Sequence, residues 1–391
     1  MSGEAPEAPG DPSAEVLAHV REALEDGPDA WIVGGAVRDR LLGRPTADLD
    51  LAVASTDAEV LRGLARGITR RAGGHAFPLS DVYGAWRACA PADAPVAWQV
   101  DLTPLQGADL AEDLGRRDLT VNAIAEPIAG GTLVDPFGGE PDLRARRLRA
   151  VGPESFSSDP VRVLRLARFA AELDAAPDAA TVAAAARSAP ALAADVPGER
   201  TLPELSRTLT GPGWRRGLTT AEAVGALAAL VPHATTAGGA LRPDVAAVLA
   251  RLLGDDPRLP EAAAEHASAL AAITAGPDDR LVLALAALVR PAPDPGRALD
   301  RLRPSRELRA AVVRTAGATE RIAGLRTGPT DPDALFAALG PAGTRAPHAV
   351  LLARAVLGPE DLPWPPLAAR AVRWAAGPPR PPVAGEGQRA T

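Results

Sequence analysis

The sequence predicts an α+β fold, a mixed α/β head followed by an all-helical neck, body and tail. Three observations carry this. Short apolar or alternating runs, divided by Gly and Pro turns, fill residues 28–150. From Asp159 onward the chain turns Ala-, Leu- and Arg-rich with helical spacing, broken by Pro and Gly, without a regular repeat. A 47 % hydrophobic and 23 % charged composition over 391 residues sustains a real core and two or three domains.

The elements follow in order. Residues 1–27 open acidic and Pro-rich ("MSGEAPEAPGDPSAE") and are expected to be flexible. "WIV" (Trp31 to Val33) reads as a strand, and Ala36 to Leu42 as a helical segment. "DLDLAVA" reads as a strand with Asp48 and Asp50 on one face. "GAWRACA", "VAWQVDL" (Val96 to Leu102), "VNAIAEPI" and "RLRAVG" complete the strands of a head over 28–150. A helical neck is expected over 151–212, a helical body and tail over 213–378, and a disordered Pro/Gly-rich end over 379–391.

The formal net charge of -7 argues against a basic nucleic-acid coat but leaves room for a local basic groove. Lysine is absent, so every basic task falls to arginine. One cysteine, Cys89, excludes an intramolecular disulfide framework and a cysteine-rich zinc site. No charged-then-apolar leader and no apolar run of about 18 residues occur, so a cytoplasmic protein without a membrane partner is expected.

Three constellations carry chemistry. Gly34 and Gly35 follow the first strand, where glycine lets the backbone approach a ligand closely, and Arg38 stands just beyond. Carboxylates two residues apart on a strand, Asp48 and Asp50, repel unless a cation sits between them. Together these point to a nucleoside triphosphate carried with Mg2+. Asp101, on a second strand, completes a three-carboxylate set able to hold two metal ions, or simply ends its strand.

In "GRRDLTVNAIA", Arg116 and Arg117 offer forked donors to phosphate, and Asn122 can bridge ribose or phosphate, in a strand begun by Thr120 and Asn122. An Arg117–Asp118 salt bridge is the structural alternative. In "SDPVRVLRLARFAAEL", Asp159, Arg162, Arg165 and Arg168 recur every three residues along a helix. Asp159 before Pro160 is also an ordinary helix cap. Beyond capping, a carboxylate acceptor beside a guanidinium donor matches the exocyclic amine and ring nitrogen that cytosine and adenine share. Uracil and guanine would leave groups unpaired there.

In this order, "VGGAVRDRLLGRPTADLDLA", "RRDLTVNAIA", "DPVRVLRLARF" and "GERTLPELSRTL" resemble the class II nucleotidyltransferases, over roughly residues 30 to 210. That family holds the CCA-adding tRNA nucleotidyltransferases and the bacterial poly(A) polymerases, and has a polymerase-beta-like head. The resemblance implies an enzyme that transfers C and A nucleotides from CTP and ATP to the 3′ end of tRNA, releasing pyrophosphate. It implies Asp48 and Asp50 as Mg2+ ligands, Asp101 as a third acidic residue in a looser motif, and Gly34, Gly35 and Arg38 at the triphosphate. Arg117 and Asn122 match nucleotide contacts, Asp159 and Arg162 the base-reading pair, and Arg165 and Arg168 further nucleotide contacts. Glu199, Arg200 and Glu204 match a bracing neck motif.

Ser158 departs from the Glu that often opens the base-reading motif. None of the five histidines precedes an aspartate, so the His-Asp phosphohydrolase domain of many relatives is not expected. Poly(A) tailing and A-only or C-only addition use nearly the same head motifs. A non-catalytic RNA-binding paralogue would keep the fold alone. The oligomeric state is not legible.

Overall fold

The computed structural model describes residues 12–46, 48–80, 84–253, 276–325, 332–357 and 364–375. It divides into two compact units, residues 1–162 with 175–184, and residues 163–174 with 185–391. The expected disordered end, 379–391, lies outside the described residues.

The first unit is built on six strands: β1 (Ala30–Val33), β2 (Asp48–Val53), β3 (His75–Ser80), β4 (Ala85–Cys89), β5 (Gln99–Pro104) and β6 (Ala125–Pro127). They are ordered β3-β4-β5-β2-β1-β6. β2 and β5 run parallel, and the other neighbours are antiparallel.

The alternation in β2 decides the two faces of this sheet. Leu49, Leu51 and Val53 are buried with Ile32, Val100 and Leu102 in one core. Helix α1 (Pro12–Ala23), helix α2 (Gly35–Leu41) and helix α3 (Ala58–Ala72) contribute to that core. In α3, Leu61, Leu64, Ala65 and Ile68 recur with helical period. Asp57 caps it by accepting from the Glu59 amide at 2.9 Å. On the opposite face, Val33, Ala52 and Ala125 pack with Leu114 of helix α4 (Leu110–Gly115) and with Ala123, and helix α5 (Gly139–Arg144) follows later in the chain. Asp48 and Asp50 are exposed.

Several expectations are corrected here. The segment 1–27 is not flexible throughout: α1 buries Val16, Leu17 and Val20, and Leu24 follows just beyond. Burying each such side chain is worth about 1.5–3 kcal/mol, enough to fix a short helix whatever its acidic neighbours prefer. Thr120–Asn122 is a 3-10 turn rather than a strand, because the Asp118 carboxylate accepts from both the Leu119 amide and Asn122 Nδ2, each at 2.9 Å. The strand begins only at Ala125. "RLRAVG" forms a strand over Arg147–Leu148 only, paired with Ala176–Pro177, and its Ala150 makes an isolated bridge to Leu119. The first unit runs on to residue 162 and takes in residues 175–184, which the strand pairing joins to it. Strand β3, with its exposed apolar residues, was not anticipated.

The second unit is helical in its described residues. Helix α6 (Arg162–Leu173) supplies residues 163–173, and helices Gly198–Thr210, Trp214–Ala223, Pro243–Leu253, Pro277–Val289, Arg306–Gly324 and Ala346–Leu357 follow. Small residues let these helices approach closely: a Cβ on Gly213 would lie 2.1 Å from the Ala171 carbonyl oxygen. A late core gathers Ala318, Ile322, Leu339, Val350 and Leu367 around Trp364 and Trp374. No described helix is long and apolar enough to cross a membrane.

Candidate active site

Strand register assembles the site. Asp50 stands opposite Val33 on one side and Asp101 on the other. Asp101 faces Arg87, and Arg87 faces Phe77. Directly opposed residues share a face, so Asp50, Asp101, Arg87 and Phe77 form one row across the sheet. Asp48 lies beside that row, opposite Gln99.

At the end of β1 the chain turns through Gly34, with φ 73° and ψ −132°. A Cβ there would lie 2.8 Å from Arg117 Nη1 and 3.7 Å from Asp50 Oδ2. A guanidinium and a carboxylate thus flank a spot that only glycine leaves open. Arg117 Nη2 donates to Asp113 Oδ2 at 3.2 Å, while its buried Nε finds no acceptor among the described residues. Asp113, 7 % exposed, also accepts from the Gln106 amide at 3.0 Å, which fixes its orientation.

Arg38 is braced from within. Its Nη1 donates to Asn122 Oδ1 at 2.7 Å, and its Nε and Nη2 donate to the two oxygens of Asp39, each at 3.0 Å. Asn122 in turn donates to Asp118. The sequence places Arg38 and Asn122 in separate motifs, and the structure joins them into one buried bracket beside Gly35, whose added Cβ would lie 3.6 Å from Arg38 Nη2. The anticipated Arg117–Asp118 bridge is replaced by Arg117–Asp113.

Asp101 is corrected as part of a ready three-carboxylate centre. Arg87 Nε and Nη2 donate to its two oxygens at 2.6 and 2.7 Å, a forked pair set by the β4–β5 register. The hydrogen bond to Asp101 raises the Arg87 pKa above its ordinary value. Among the described residues, no three His, Cys, Asp or Glu side chains converge as a metal cage. The remaining pair, Asp48 and Asp50, still fits a hard cation, because Mg2+ is commonly held by one or two carboxylates plus substrate phosphates.

Asp159 and Arg162 lie in the first unit with these groups. Helix α6 starts at Arg162, so Asp159 opens the preceding turn, its backbone oxygen accepting from the Arg162 amide at 3.0 Å. Arg162 Nη2 donates to the Arg116 carbonyl at 2.7 Å and Nη1 to the Ser155 carbonyl at 3.0 Å. This anchors the pair to the loop that carries Arg117.

Arg165 and Arg168 belong to the second unit. Arg168 is corrected from nucleotide contact to buried structural cation. It donates to Glu204 Oε2 at 2.6 Å and Glu172 Oε2 at 2.7 Å, and its guanidinium lies 4.1 Å from the Phe169 ring centre. Arg165 stacks 5.2 Å from the same ring centre. Glu204 therefore braces α6, while Glu199 pairs with Arg303 at 3.4 Å.

Sequence reasoning missed Arg87, Asp113 and Asp142. Asp142 is fully buried and accepts from Thr120 Oγ1 at 2.6 Å, Arg147 Nε at 2.6 Å and Arg149 Nε at 2.9 Å. Burial pushes its carboxyl up, but these three donors together hold it below its ordinary value. An aspartate followed at five and seven residues by arginines was the available signal.

Residues 30–149 match the Poly A polymerase head domain. Over that stretch the chain is similar to poly(A) polymerase heads and to tRNA nucleotidyltransferases. The chain is 42 % identical over 190 residues to a CC-adding tRNA nucleotidyltransferase of Geobacter sulfurreducens, covering 49 % of this chain and 42 % of that one. It is 42 % identical over 220 residues to a multifunctional CCA protein of Halorhodospira halophila, covering 52 % and 50 %. An A-adding tRNA nucleotidyltransferase of Deinococcus radiodurans is 40 % identical over 210 residues, covering 53 % and 46 %. The chain spans about half the length of these curated relatives. The fold is shared with a Thermotoga maritima CCA-adding enzyme solved with tRNA, at TM-score 0.71 and 19 % identity over 94 % of this chain and 83 % of that one.

Proposed function

We propose that this chain transfers C and A nucleotides from CTP and ATP to the 3′ end of tRNA, completing or repairing CCA without a nucleic-acid template. The RNA 3′-hydroxyl oxygen would form a bond to the α-phosphorus as the bond to pyrophosphate breaks. The observation that carries this reading is the opening at Gly34, flanked by Arg117 Nη1 and the Asp50 carboxylate. A triphosphate needs a donor and a cation-holding acid within a few ångström of one backbone gap, and this is such a gap.

Asp48 and Asp50 would hold Mg2+, with Asp101 as an outer acid steadied by Arg87. Bound there, the metal would neutralise phosphate charge and make the hydroxyl a better nucleophile. Arg117 would donate to phosphate oxygens through the nitrogens its pairing with Asp113 does not use. Arg38 acts one step back, holding Asn122 in place for the ribose or phosphate. Asp159 and Arg162 would accept from and donate to the shared edge of cytosine and adenine.

Partial addition is the second reading, favoured by similar identities to CC-adding and A-adding relatives. The test is incubation of the purified protein with tRNAs ending before CCA, after CC and after CCA, with each NTP separately. CCA addition predicts extension of the first by CTP and of the second by ATP, with the third left alone. Extension by a single NTP at a single end supports partial addition, and long A tracts would replace both readings with polyadenylation.

A further inference from the structure

Aromatic residues make up 3 % of the chain, and among the described residues Phe77 is the one exposed aromatic ring. It is 42 % exposed on strand β3, ahead of a break in the β3–β4 register between Pro78 and Ser80. Its face of the sheet is the one that carries the acids: Phe77 opposes Arg87, Arg87 opposes Asp101, and Asp101 opposes Asp50. The alternate residues Ala76, Trp86 and Ala88 pack into the core on the reverse face, so the assignment of faces is consistent.

Strand β3 is also a sheet edge. Pro78 stands in its middle, removing a backbone donor and guarding the edge against another strand. The edge is thus closed to strand addition while its side chains stay open to a flat ligand above the sheet.

We infer that Phe77 is a stacking platform for the single-stranded 3′ end of the RNA acceptor. The inference rests on the nucleotidyl-transfer reading of Asp48 and Asp50. Three strand spacings of about 4.8 Å put Phe77 roughly 14 Å from Asp50 along the row. A stacked strand rises about 3.4 Å per nucleotide, so a base on Phe77 lies within about four nucleotides of the reacting hydroxyl. Every base has a face that an aromatic ring accepts, which suits an acceptor end that changes with each addition. Arg87 is held by Asp101 and contributes a cationic surface between ring and acids without crossing to the RNA.

The test compares the parental protein with Phe77→Ala and Phe77→Trp. Acceptors carry 2-aminopurine at one of the last four positions, and binding is read by its fluorescence without NTP. Quenching on binding to the parental protein, lost in Phe77→Ala and kept in Phe77→Trp, is the expected result. The KM for acceptor in Phe77→Ala should rise roughly tenfold, with the KM for CTP nearly unchanged. Equal quenching and equal acceptor KM in Phe77→Ala, in a parental protein that does add nucleotides, overturns the platform alone. A parental protein that extends no acceptor overturns the transfer reading and the platform with it. A parental dimer that Phe77→Ala converts to monomer assigns the ring to a second copy of the chain and overturns the RNA assignment.

Discussion

Arg117 in the first unit and Arg168 in the second both face carboxylates, yet they are held to opposite ends. Among the described residues Arg117 has one acid partner and a buried Nε without an acceptor, and its Nη1 lies at the gap at Gly34. Arg168 is enclosed by Glu204, Glu172 and the Phe169 ring, with its side chain 8 % exposed. A cation whose donors are spent inside the protein works for stability, and one with donors left over works on something else. Arg117 and the Asp50 carboxylate flank the open gap at Gly34, while Arg168 is closed in by Glu204, Glu172 and the Phe169 ring.

The largest effect expected is on Arg168. Replacing it by methionine leaves Glu204 buried beside an apolar chain, which costs about 3–5 kcal/mol and lowers Tm by roughly 10 °C. Nucleotide addition per folded molecule below that Tm should be nearly unchanged. A stable Arg168→Met protein with lost activity would erase the contrast by moving Arg168 into the working site.

Gly34→Ala should behave in the reverse way. The added Cβ collides with Arg117 Nη1 and strains a positive φ, for about 1–2 kcal/mol of stability. Displacing the guanidinium should cut kcat/KM on the order of a hundredfold. A melt beside single-turnover kinetics measures both, and unchanged kinetics would show that the gap holds no phosphate.

Asp159→Asn sharpens the comparison at the start of α6. Asparagine caps a turn as well as aspartate, so the melt should stay put. An amide presents either a carbonyl or an NH2 to the base, so CTP and ATP use should fall roughly tenfold while UTP use rises. An unchanged CTP:UTP ratio returns Asp159 to turn-opening alone.

The smallest effect lies in the second unit. Burial pushes His348 below the ordinary histidine range; contact with Asp279 opposes this and Arg345 adds to it. The unfolded chain then takes up a proton near pH ~6.5 that the folded chain resists. Stability from this group is full above that pH and is lost as pH falls toward the lower folded value. Melts at pH 8 and 5.5 should differ by a few degrees more in the parental protein than in His348→Gln.

Legibility followed the same division. Alternation in β2 and the glycines after β1 were readable because period and backbone freedom are local properties. The Arg87–Asp101 pair was not, since strand register joins residues whose spacing carries no signal. Thr120–Asn122 read as a strand from its β-branched residues, and the turn made by Asp118 overrode that preference. Helix α1 was hidden by acidic, Pro-rich neighbours, although Val16, Leu17, Val20 and Leu24 already had helical spacing. Arg168 lay in a stripe with Arg162 and Arg165, and only the packing of Glu204 against it distinguished a brace from a contact.

The most direct measurement compares the parental protein with Asp50→Ala on a tRNA ending before CCA. Affinity for the RNA is measured beside single-turnover extension with CTP and ATP in Mg2+. Asp50 is exposed and its loss leaves the core intact, so the account predicts equal RNA affinity, an unchanged melt, and extension reduced to background. Near-parental extension by Asp50→Ala would contradict the account at its centre.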